Sequence, residues 1–291
     1  MQHSPPLQRQ PFPLAFLVLF LLGGVEAGSA WGQQAPVEVV ASVPPLGFLL
    51  ERIGGDRVEV EVLIPPGHSP HSLELSPRDL VRLKRSRLVL QVGHESFLFE
   101  GRLLSALALQ EPKVEVISMV AVDSDSHPWL SPRTLQATVE SLKAALGRLD
   151  PAGVPEFDAA ARQLTGEIEQ VDRQISHLFQ TSSCRSFVVD HPAWGSFAEH
   201  FLLEQLAVEQ EGKDPGPASL ARLSRRVQNL GLRTLFVEPG HSSSRNRALA
   251  KALRCKIQIL DPMAPDVVEN LWFVAQAIAG GCSSDSVATQ P

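Results

Sequence analysis

Phe157, Ala161, Leu164, Ile168, Val171, Ile175 and Leu178 follow one another at alternating steps of four and three residues. That spacing keeps side chains on one face of a continuous α-helix. Asp158, Arg162, Glu167, Glu169, Asp172 and Arg173 fall between them and can stay solvated on the opposite face. Pro155 stands where a first helical turn tolerates it. The pattern predicts one helix over about Pro155–Gln180, roughly 38 Å long at ~1.5 Å per residue. An apolar stripe of that length needs a partner along all of it. A dimeric coiled coil is the alternative, but the seam covers only about three heptads, the lower limit for that reading. Packing against the rest of the same chain is the expectation.

What lies on either side of this helix is similar in kind. Before it, strand-like runs occur at Val37–Ala41, Val58–Ile64, Arg87–Val92 and Val114–Ile117. Helical patterns separate them at Leu46–Gly54, Pro77–Ser86 (with Ser76 as cap) and Phe97–Gln110. After it come strands at Phe187–Asp190, Gln205–Glu209, Thr234–Glu238 and Lys256–Leu260. The helices there fall near Trp194–Leu203, Ser219–Leu230 and Ser244–Leu253. Strands alternating with helices give parallel sheets with covered faces. The expected fold is therefore α/β: two βα lobes, each with a roughly four-stranded parallel sheet, joined by one long backbone helix. At 291 residues, with 44% hydrophobic content, the chain is long enough for two such units. A net charge of −6, with lysine and arginine scattered along the sequence, argues against a nucleic-acid surface.

The first 30 residues read differently. Arg9 precedes the uncharged, apolar run Leu14–Leu22, and small residues follow at Ala27 and Ala30. This is the layout of a cleavable signal peptide, and the run is short of the about 20 residues that span a bilayer. No cysteine follows it to carry a lipid. The expected division is a signal peptide over 1–30, an N-terminal lobe over 31–150, the long helix over 151–181 and a C-terminal lobe over 182–291. A periplasmic location permits disulfides. Of Cys184, Cys255 and Cys282 one must stay unbridged; Cys255–Cys282 would pin the tail to its lobe, although spacing does not fix the pairing. No CxxC is present, which disfavours a thiolate zinc site.

Four candidate donors follow apolar, β-branched runs: His71, His127, His191 and Asp261. In an α/β fold such positions face a shared crevice. Pro65-Pro-Gly-His-Ser-Pro-His71 is a stiff turn, in which His68 competes with His71. Pro128 and Pro132 stiffen the second segment, where Trp129 and Leu130 can bury the loop and hold His127. Val189-Asp-His191 runs straight into a helix, and Pro262 ends the last strand behind Asp261. Three imidazoles and a carboxylate suit a tetrahedral first-row metal site, with zinc first among candidates. Each position alone has an ordinary structural explanation as a turn or cap; the coincidence of four is the signal.

These segments together resemble one family. Pro-His-Ser-Leu-Glu74 followed by Ser-Pro-Arg-Asp79, His127-Pro-Trp-Leu-Ser-Pro, Asp190-His-Pro-Ala-Trp-Gly, Phe-Val-Glu238-Pro and Leu-Asp261-Pro-Met occur in the order seen in the zinc- and manganese-type solute-binding proteins of ABC transporters. The likeness spans about Val37 to Gly280. It implies two βα lobes on a long helix, a metal site in the interlobe cleft at His71, His127, His191 and Asp261, and delivery of the ion to a membrane ABC permease. It also implies a soluble monomer that is not an enzyme. Manganese-type members usually carry a carboxylate where His191 stands, so the resemblance favours Zn2+, with manganese or another divalent metal as the alternative. The chain departs from the pattern in having only Asp123-Ser-Asp-Ser before His127 in place of a long His/Asp-rich loop, a short connection after Asp261, and no tyrosine.

Glu238 and His241 follow the seventh strand and can approach the cleft beside the ligands, as can His68. His94 is assigned no ligand role, and His177 and His200 are expected at the surface. The alternative from another class is a secreted zinc hydrolase with water in one coordination position and His68, Glu238 or His241 as base. Neither HExxH nor GxSxG is present to support it.

Overall fold

A computed structural model of the protein describes residues 35–65, 75–108, 114–119, 125–209, 213, 215–240 and 243–282. The expected signal peptide, His68, His71 and His241 lie outside the described residues. Val37–Ala41 (β1), Val58–Val62 (β2), Leu88–Gln91 (β3) and Glu115–Ser118 (β4) form one parallel sheet in the order β2-β1-β3-β4. Ser186–Val189 (β5), Glu204–Ala207 (β6), Thr234–Val237 (β7) and Lys256–Ile259 (β8) form a second in the equivalent order β6-β5-β7-β8. In each sheet the connection changes side after the second strand. That reversal is the switch point where strand carboxyl ends leave a crevice.

The helices are α1 (Pro44–Gly54), α2 (Pro77–Arg85), α3 (Leu98–Leu107), α4 (Pro132–Leu149), α5 (Val154–Thr181), α6 (Gly195–His200), α7 (Pro217–Asn229), α8 (Ser243–Leu253) and α9 (Val267–Cys282). Ser76 caps α2 as expected, in a full capping box with Asp79. The 28-residue α5 is the long helix of the sequence pattern. It buries Phe157, Ala161, Leu164, Ile168, Val171, Ile175 and Phe179. The last step is thus four residues rather than three, which leaves Leu178 half-buried. The stripe packs on α1 and α4 from the first half and α9 from the second, and the coiled-coil alternative falls. Arg52 on α1 clamps Glu167 of α5 with two bonds of 2.7 and 2.8 Å.

Two helices go beyond the sequence expectation. α4 turns back along α5 after a 3-10 turn at Pro151–Gly153, so the connector is a helical hairpin. α9 brings the chain back under the second sheet. Its last residue, Cys282, is bonded to Cys184 just ahead of β5. The bridge considered above, Cys255–Cys282, is therefore corrected: Cys255 is the free thiol, and its burial raises its pKa. His200 also departs from expectation. Its Nε2 lies 2.8 Å from Asp172 Oδ1 on α5, with the side chain only 15% exposed. His177 is exposed, as expected.

Alternate side chains of the second sheet divide between two apolar clusters. Phe187, Val189 and Phe236 join a core that runs from Val39 of β1 through α5 to Ile278 of α9. Val188, Leu235 and Val237 face the other way, beneath Val227 of α7 and Leu249 and Leu253 of α8.

Candidate metal centre

His127 lies nine residues past β4 and is almost wholly buried. Asp125 holds it: Oδ1 accepts the His127 amide at 2.8 Å and stands 3.5 Å from Nδ1. Ser126 Oγ is 2.9 Å from the same ring nitrogen. With Nδ1 engaged on this side, a ligating role falls to Nε2. The ring meets Trp129 edge-on at 5.1 Å between centroids. Asp125 also reaches the other half of the molecule, where its Oδ2 accepts the Ser196 amide at 2.7 Å at the start of α6. A Cβ on Gly195 would stand 2.1 Å from that oxygen, so only glycine permits the approach.

His191 leaves β5 two residues past its end. Its amide donates to Asp190 Oδ1 at 2.9 Å, and its Nδ1 is 3.2 Å from Glu209 Oε2. Glu209 follows β6, the neighbour of β5 in the sheet. Burial holds the His191 pKa below the usual histidine value; the nearby His127 pushes the same way, and Glu209 and Asp190 oppose them. The imidazole thus keeps its neutral form, the one able to bind a metal, to lower pH. The His127 and His191 rings, one from each half of the chain, stand 5.9 Å apart at 79°.

Asp261 follows β8. Its Oδ1 accepts the Met263 amide at 2.8 Å, and its carbonyl accepts Asn270 Nδ2 at 2.9 Å. Burial raises its pKa, opposed by the Met263 N–H. The next residue ties this loop to the first half, since the Pro262 carbonyl accepts the Trp129 indole N–H at 2.7 Å. His127 and Asp261 are therefore set on loops bonded to each other.

Glu238, after β7, belongs to the same surroundings. Burial first, then the charges of Asp190, Asp261 and Glu209, push its pKa up to about 8. His94 Nδ1 is 2.7 Å from Ser96 Oγ. Among the described residues, no three His, Cys, Asp or Glu side chains form a metal-holding group, and His71 lies outside them. The structure brings His127 and His191 together and places Asp261 within electrostatic reach of Glu238. Sequence reasoning missed Asp125 and Glu209. Strand order alone would have flagged Glu209, because β6 ends beside β5.

The Glu238 shift carries a pH prediction for metal-free protein. Between about pH 4.5 and 8 the folded state holds a proton that the unfolded state has released. The stability this group contributes is therefore full below 4.5 and falls as pH rises toward 8. The opposite shift of His191 acts only below about 6.5. From pH 6.5 to 8, wild type should lose on the order of 2 kcal/mol relative to Glu238→Gln. Urea unfolding in chelator checks this, and parallel stability curves for the two proteins would refute it.

Two parallel βα lobes on one rigid helix, with imidazoles from both halves meeting among carboxylates, are the architecture of a two-lobed binding protein. Residues 39–274 match the family model described as zinc-uptake complex component A, periplasmic. The chain belongs to that family. Among its relatives, a candidate metal-binding protein of Chlamydia trachomatis serovar D is 25% identical over 91% of this chain and 99% of its own length. The high-affinity zinc uptake system protein ZnuA of Yersinia pestis is 26% identical, over 80% of this chain and 85% of its own. A crystal structure of a ZnuA deletion mutant with zinc bound is similar at a TM-score of 0.79 and 29% identity, covering 88% of this chain and 100% of the other.

Proposed function

We propose that this protein captures zinc outside the cytoplasm and hands it to a membrane ABC permease, with His71, His127, His191 and Asp261 as ligands. The observation that carries the reading is the pair of imidazoles contributed by different lobes, 5.9 Å apart, with carboxylates gathered beside them. Each ring has an oxygen partner at Nδ1, the arrangement that fixes a metal-ligating tautomer. Three neutral nitrogens and one carboxylate suit zinc better than manganese, which takes more oxygen donors. Four protein ligands leave no open coordination position, as a carrier requires and a zinc enzyme does not. No observation among the described residues favours the hydrolase alternative. Removal of residues 1–30, a periplasmic location, division into 31–150, 151–181 and 182–291, and a monomeric mature protein belong to the same proposal.

The test is zinc-dependent melting of protein stripped of metal. A ligand that binds only the folded state at 100 times its Kd stabilises by about 2.7 kcal/mol. Zinc should raise Tm accordingly, manganese should do so less, and His127→Ala and His191→Ala should each abolish the zinc shift. A shift that survives both substitutions rules out this site.

A further inference from the structure

The lysines and arginines, read as scattered along the chain, are in fact concentrated in one stretch of it. From Pro217 to Lys256 the chain carries nine Lys and Arg against one carboxylate, Glu238, a formal +8 in a protein of net −6. The two helices of this stretch, α7 and α8, pack side by side over their own small core on one side of the second sheet. Arg222 and Arg225 on α7, Arg247 and Lys251 on α8, and Arg254 just beyond are exposed on this side; Lys256, in register with Thr234, points to the other side of the sheet, toward α9. Among the described residues none of the five on the α7/α8 side pairs with a carboxylate. In the corresponding layer of the N-terminal lobe Arg82 of α2 meets Glu61 and Arg85 meets Glu38; on α7, among the described residues, only Arg226 is so paired, with Glu204.

An apolar feature shares the cationic face. The register of β8 sets Ile257 beside Leu235 and Ile259 beside Val237. In a parallel pair, neighbours in register point to the same side of the sheet. Leu235 and Val237 point into the core under α7 and α8, so Ile257 and Ile259 emerge on that side at the sheet edge. They are 39% and 58% exposed.

We propose that this face docks on an anionic phospholipid surface. The cations are spread over two helices and the turn after them, an array that a sheet of lipid phosphates accepts without requiring fixed partner positions. Two protruding aliphatic side chains beside the cations can enter the hydrocarbon boundary of a bilayer. Docking would hold the carrier near the membrane that houses its transporter. It uses none of the proposed metal ligands, so it stands or falls separately from zinc capture.

The experiment is co-sedimentation of the full mature chain with vesicles of phosphatidylglycerol and phosphatidylcholine in equal parts, against phosphatidylcholine alone, at low salt and at about 0.5 M NaCl, where surface charges are screened. Binding is expected only to the anionic vesicles at low salt. Arg222→Glu/Arg225→Glu and Arg247→Glu/Lys251→Glu should each weaken it at least about tenfold, while Ile257→Ser/Ile259→Ser weakens it less. Arg162→Glu, exposed on α5, should leave it unchanged. Melting curves confirm that each variant is folded. No binding to either vesicle, equal binding to both, unaltered binding by both charge-reversed variants, or association only with permease embedded in neutral lipid would each overturn the proposal. The last outcome would assign the face to an acidic protein partner.

Discussion

Trp129→Ala should lower stability by about 3–5 kcal/mol and, with it, most of the zinc affinity. The indole is fully buried, edge-on to Phe97 at 6.0 Å and to His127 at 5.1 Å. Its removal opens a cavity directly behind the His127 ring. It also strips the Pro262 carbonyl of its 2.7 Å donor, the bond that sets the His127 loop against the loop of Asp261. Trp129→Phe separates the two effects, because it keeps most of the ring volume and loses only the N–H. Leaving that buried acceptor unsatisfied costs about 1–3 kcal/mol. Urea unfolding of metal-free protein measures the stability term, and zinc titration of the same variants measures the alignment of the two loops. If Trp129→Phe binds zinc as tightly as wild type, the indole hydrogen bond is not what keeps those loops in register.

The second large effect concerns the bridge. Cys184→Ala/Cys282→Ala should cost about 2–5 kcal/mol, since cross-linking residues 98 apart in sequence removes much of the freedom of the unfolded chain. Zinc affinity should nevertheless be preserved. The bridge joins the start of β5 to the end of α9, whereas His191 and Asp261 follow the opposite, carboxyl ends of β5 and β8. Denaturant midpoints with and without reductant, followed by zinc titration of the double variant, test both halves of this statement. A double variant as stable as wild type, or one that loses zinc in proportion to stability, contradicts it.

The same two regions show what the sequence made legible. The strands and α5 were readable because their apolar residues repeat at steps of two, or at alternating four and three. α4 has the helical repeat as well, in Leu135, Val139, Leu142 and Leu146, but Thr134 and Thr138 are buried among them, and those polar residues blur the stripe. α9 is apolar on most of its surface and ends in Gly280-Gly281, so it shows little contrast to read. Missing it also hid the disulfide. Sixteen helical residues carry the chain about 24 Å, from the site end of the sheet back to Cys184. At the centre, His127, His191 and Asp261 were visible through the stiff Pro-containing turns around them. Asp125 and Glu209 were not, because each acts across a distance that only the fold closes: Asp125 reaches the start of α6, and Glu209 approaches from the neighbouring strand.

One apolar interior runs without interruption from β1 through α5 to α9. Only the smaller cluster under α7 and α8 belongs to one half alone; the main interior is shared, so neither half has a reason to survive the loss of the other. Heating the metal-free protein should give a single calorimetric endotherm whose van't Hoff and measured enthalpies agree. Two-lobed though it is in outline, the protein should melt as one piece.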